Sequence, residues 1–89
     1  MLVLPSELTF RQARACLRML IQGLPSQTGP AVMVDAASLQ RFDSSALAVL
    51  LEFRRESLAL GKQFVIRGLS ASLTDLATLY GVDELLTAA

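Results

Sequence analysis

Leu2, Val3 and Leu4 open the chain as a short apolar run that Pro5 stops, the pattern of a brief strand. The period then lengthens. Phe10, Ala13, Leu17, Leu20 and Ile21 recur at helical spacing and predict an amphipathic helix. Thr9 and Gln12 have the form of a capping box in front of it, and Gly23 supplies a stop. PSQTGP, residues 25–30, is loop by composition. Ala31 to Val34 is apolar and partly β-branched with a charge only at its end, which predicts a strand covered on both faces. The spacing predicts a second helix from Ser44 to Leu60, with a core stripe of Leu47, Leu50, Leu51 and Leu58, closed by Gly61. Gln63 to Arg67 reads as the next strand. Ser72 and Asp75 form a second capping-box pattern, for a helix whose apolar face is Leu73, Leu76, Ala77 and Tyr80 and which Gly81 ends. Residues 83–87 read as one last turn.

The predicted order is β-α-β-α-β-α. That alternation implies an α/β fold: a small sheet with parallel neighbours and helices packed against it. At 89 residues the chain fits one domain, residues 1–89, with no repeat or linker inside it.

Composition narrows the function classes. The chain is 53% hydrophobic, enough for a core at this length. Its formal net charge is zero, which argues against a general nucleic-acid binder. There is no histidine, so Ser-His and Cys-His nucleophile pairs and histidine metal sites are excluded. Cys16 is the single cysteine and lies beside the first helix's apolar face, which reads as core packing. No Walker-A loop or GxGxxG is present, so no enzyme activity, cofactor or metal is expected. The opening MLVLPSEL lacks the basic start and apolar run of a signal peptide. The longest apolar run, Ala46 to Leu51, is far short of the ~20 residues of a membrane span. A reducing cytoplasm is the expected compartment.

The stretch RFDSSALAVLLEFRR, residues 41–55, carries the sharpest signal. Asp43, Ser44 and Ser45 stand where a helix exposes unpaired N–H groups and a partial positive charge. One reading is a helix cap. The other is a contact point for a partner protein, with a hydroxyl that can take a phosphate. Along the helix, Ala46, Val49 and Phe53 form a stripe displaced from the core stripe. It reads either as packing against the third helix or as a partner contact. Arg11, Arg14 and Arg18 share one face of the first helix without acidic neighbours, either as a solvated face or as a surface for anionic lipid or an acidic partner.

VMVDAASLQRFDSSALAVLLEF, residues 32–53, resembles the signature of the STAS domain family: a hydrophobic strand ending in Asp, a short loop, and Asp-Ser/Thr-Ser/Gly-Gly-Leu opening a helix. GKQFVIRGLSASLTDLATLYGVDELL, residues 61–86, resembles the family's next strand, Gly-Leu turn and third helix. Two branches are similar: anti-sigma factor antagonists, whose serine is phosphorylated by a partner kinase, and the MlaB type, an accessory subunit of a phospholipid ABC transporter. The segment Leu76 to Tyr80 resembles the MlaB type more closely. The resemblance implies that Ser44 holds the key partner-binding or phosphoacceptor position, with Asp43 before it, Ser45 beside it and Asp35 as the family's other recurring acid. It implies an ABC transporter ATPase as partner, or else an anti-sigma factor kinase, and a membrane reached only indirectly through the transporter complex. Two departures stand out. Ala46 replaces the common Gly, and a strand that usually precedes the segment matching Leu2 to Leu4 is missing. Either the true start lies upstream, or the sheet has an uncovered edge that invites pairing with a second copy.

Overall fold

The computed structural model describes residues 1–86. Three strands, β1 (Leu2–Val3), β3 (Ala31–Asp35) and β5 (Gln63–Arg67), form a parallel sheet in the order β1-β3-β5. A separate parallel ladder joins β2 (Glu7–Leu8) to β4 (Arg41–Phe42). The helices are α1 (Ala13–Gly23), followed by a 3-10 turn over Leu24–Ser26, then α2 (Ser44–Ala59), α3 (Ala71–Leu79) and the short α4 (Asp83–Leu86). The α/β fold with helices against a small parallel sheet is as the sequence predicts. Thr87, assigned to the last predicted turn, lies outside the described residues.

β3 is central, paired through Val34 to Leu2 and through Val32 and Val34 to Phe64 and Ile66. Burial alternates along it. Val32 and Val34 are sealed, whereas Ala31, Met33 and Asp35 on the opposite face are half-buried. The expectation of a strand covered on both faces is therefore corrected: the helices cover one face. β1 is the outer strand at one edge of this sheet.

The core joins Leu4, Leu8, Cys16, Leu20, Val32, Val34, Leu50, Phe53, Leu73 and Leu86, all buried. α2 supplies its centre. Phe53 packs edge-to-face on Phe64 of β5, with ring centroids 6.1 Å apart. Ser57 is fully buried, and its hydroxyl donates to the Phe53 carbonyl oxygen at 2.8 Å. Leu58, predicted to be core, is exposed. Ala46, Val49 and Phe53, read as a possible partner stripe, are buried in the core. Ala46, Leu50, Phe53 and Ser57 follow one another at helical spacing and share the innermost line of α2. The predicted stripe was rotated off that line because a serine sits on it.

Smaller corrections follow the same logic. α1 begins at Ala13, so Phe10 lies ahead of the helix and is exposed, as is Ile21. The Thr9–Gln12 box still forms in the preceding turn: the Gln12 carboxamide oxygen accepts from the Thr9 N–H at 2.9 Å. α3 is capped by Ser70 rather than Ser72; the Ser70 hydroxyl accepts from the Leu73 N–H at 3.1 Å. Tyr80, predicted on the apolar face, caps the C-terminus of α3 and is exposed.

Candidate functional site

The β2–β4 ladder decides where α2 begins. It pairs Leu8 with Phe42, so the chain entering α1 and the chain entering α2 run side by side. The Gln12 amide donates to Glu7 at 2.7 Å, and Glu7 also faces Arg41 at 3.7 Å. Asp43 therefore emerges next to the turn at Phe10. Its backbone is extended, and its carboxylate has two partners. Oδ1 accepts from the Ser45 N–H at 2.8 Å, and Oδ2 accepts from the Phe10 N–H at 3.1 Å. Asp43 is thus the N-cap of α2 and a clasp between the two helix starts. Desolvation pushes its carboxyl up, but the Phe10 and Ser45 N–H groups outweigh this and hold its pKa below the ordinary value.

With the cap supplied by Asp43, Ser44 is released from that duty. Ser44 is the first residue of α2, exposed, and its hydroxyl makes no hydrogen bond with any described residue. It opens onto a groove of about 310 Å³ formed by Leu47, Ala48 and Leu51 of α2 with Tyr80 and Val82 beyond α3. The α3 end that makes the far wall is fixed by Gly81 at φ +73°, a left-handed turn residue that lets the Val82 N–H return to the Ala77 carbonyl at 2.9 Å. Ser45 faces the other side, toward a groove of about 420 Å³ with Ala13, Arg14 and Leu17 of α1. Ala48 belongs to both grooves and forms the ridge between them.

Asp35 ends β3, where its Oδ1 accepts from the Ala37 N–H at 2.9 Å. That turn is clamped by Gly68 at φ +75°: a Cβ there would lie 2.9 Å from the Ala37 nitrogen. Asp35 lines neither groove beside Ser44. Among the predicted site residues, Asp43, Ser44 and Ser45 are brought together and outward. Asp35 serves a turn, and Ala46, Val49 and Phe53 are interior. The aromatics that flank the site, Phe10 and Tyr80, were read from sequence as helix-face residues. Their exposure follows from lying just outside α1 and α3.

The family model described as Mlab, STAS domain, matches residues 1–87. The chain belongs to the MlaB-type STAS domain family. No curated protein matches it. Domains of this type are generally non-catalytic. Among the described residues no helix is long and apolar enough to cross a membrane, and no group of His, Cys, Asp and Glu is placed to hold a metal ion.

Proposed function

We propose that this STAS domain is a non-catalytic subunit that binds and stabilises the ATPase of a Mla-type phospholipid ABC transporter maintaining outer-membrane lipid asymmetry. The chain would work in the cytoplasm, held near the inner membrane through that complex. The observation carrying the proposal is the exposed Ser44 hydroxyl, unbonded at the start of α2 and bordered by an apolar groove. Such a surface offers one polar anchor and an adjoining apolar wall, the usual make-up of a protein contact. Binding that favours the assembled ATPase conformer shifts its population by the difference in affinity. Asp43, fully engaged with backbone N–H groups, positions Ser44 rather than meeting the partner directly. The test is co-expression with the ATPase of a Mla-type transporter from the same genome. Ser44→Asp and Ser44→Ala are expected to reduce co-purification and transport, and unchanged values for both refute the proposal.

A second reading has its own support. A free hydroxyl at a helix N-terminus is a sterically open phosphoacceptor, and a phosphate there adds nearly two charges to the docking surface. The chain would then be an anti-sigma factor antagonist that a partner kinase switches at Ser44. Intact mass measurement from the native host separates the two: stoichiometric phosphate on Ser44 favours the switch, and a phosphate-free chain bound to an ABC ATPase favours the subunit.

A further inference from the structure

The helical face of the domain is divided by charge. From Thr9 to Val34 the charged residues are Arg11, Arg14 and Arg18, all basic. From Gly68 to Leu86 they are Asp75, Asp83 and Glu84, all acidic. These segments flank α2 on opposite sides. Arg14 lies across one groove from Ser45, and Tyr80 and Val82 lie across the other from Ser44. Arg11, Arg14 and Arg18 are exposed and form no ion pair with any described residue; Arg11 instead lies over the Phe10 ring at 5.7 Å. Asp75 and Glu84 are exposed on the other rim.

Each rim also carries large exposed apolar side chains. Phe10 and Ile21 accompany the arginines, and Leu79, Tyr80 and Leu85 accompany the acids. Leu79 is 78% exposed, one helical turn beyond Asp75. Between the rims runs the outward line of α2, with Ser44, Ala48, Arg55 and Leu58 exposed and Leu51 half-buried among them, at alternating spacings of four and three. That is the spacing of a helix–helix seam, and Ala48 at its middle allows close approach. These residues lie opposite the buried line of Ala46, Leu50, Phe53 and Ser57.

We propose that this face binds a second copy of the same chain, as a two-fold dimer whose axis runs along α2. The complementarity fixes that axis. A two-fold along α2 sets the basic rim of each copy against the acidic rim of the other and packs the two α2 seams in parallel. A two-fold across α2 would stack arginine row on arginine row, which repulsion disfavours. The dimer covers Ser44, so it competes with a partner docked there. It does not depend on what that partner is. It also uses a different surface from the open edge at β1.

Sedimentation equilibrium on the whole chain, from about 10 to 500 µM at low salt, tests the proposal. Wild type is expected to form dimers that weaken at least roughly ten-fold between ~50 mM and ~0.5 M salt. Arg14→Glu/Arg18→Glu and Asp75→Arg/Glu84→Arg are each expected to sediment as monomers, with circular dichroism confirming their fold. Mixing the two is expected to restore a one-to-one heterodimer by native mass spectrometry. Val3→Lys, on the outer strand, is expected to leave the dimer intact. Monomeric wild type throughout, a dimer insensitive to both reversals, a mixture that stays monomeric, an open series of higher oligomers, or loss of the dimer in Val3→Lys each overturns the proposal.

Discussion

Replacing Phe53 with alanine separates a core role from a surface role at the position where sequence and structure disagree. Phe53 is completely buried, meets Phe64 edge-to-face at 6.1 Å, and offers its carbonyl to the buried Ser57 hydroxyl. Truncation removes the ring, leaves a cavity between α2 and β5, and orphans one side of Phe64. A buried Phe→Ala change costs about 3–5 kcal/mol, and lost edge-to-face geometry at the Phe64 contact lies toward the upper end of that range. A domain of this length has roughly 4–13 kcal/mol of total stability at ~0.05–0.15 kcal/mol per residue. The substitution therefore removes about a quarter of the stability or more, and in a weakly stable background it unfolds the protein. At ~4–8 °C per kcal/mol, Tm falls by at least about 12 °C.

Urea unfolding followed by circular dichroism is the assay, with the midpoint expected to drop while the slope holds. Phe53→Leu keeps most of the volume and is expected to cost less, up to about 1.5 kcal/mol. If Phe53 were a docking residue, alanine would leave the midpoint almost unchanged and weaken partner binding alone. That outcome, a loss below about 1 kcal/mol with impaired binding, refutes the placement of Phe53 in the core.

Two further outcomes follow from the loops. The Asp43 carboxyl is held below its ordinary value, so it contributes stability that is present above the unfolded-state value near 4 and is lost as pH falls through the lower folded-state value. Acid titration of the unfolding midpoint is expected to show this loss in wild type, and Asp43→Asn is expected to flatten it; an unchanged acid limb refutes the clasp. Gly68→Ala is expected to cost more than Gly81→Ala, because both residues have positive φ but only at Gly68 does the added Cβ meet backbone, that of Ala37. The strain is of order 1–3 kcal/mol, and equal urea midpoints for the two variants contradict it.

How much of this fold was readable depended on how many partners each segment has. β5 was read with its observed bounds and α2 to within a residue, since Gly61 and the apolar run mark their ends locally. The paired β2 and β4 gave no periodic signal. Each is two residues long and exists only because the other lies beside it. Yet this ladder brings Phe10 to Asp43, so the clasp that frees Ser44 was invisible in a one-dimensional reading. The Asp43-Ser44-Ser45 element itself was legible, because capping chemistry acts within three residues.

The faces of α2 were harder for a different reason. Ala46 to Leu51 is apolar without a break, so hydrophobic period alone cannot choose which side is inward. The choice is made by α1, β5 and the α3–α4 turn, and it falls on a line containing one serine. Ser57 is tolerated there because the helix supplies its own acceptor: the hydroxyl returns to the Phe53 carbonyl, so no polar group is left unsatisfied. Leu58, one residue on and about 100° around the helix, is correspondingly turned out to solvent. A buried serine and an exposed leucine at adjacent positions are thus one rotational fact. The rotation that puts Ser57 inside also carries Ser44 and Ala48 to the outer surface and leaves Leu51 half-buried in the groove beside them, where a partner can reach them.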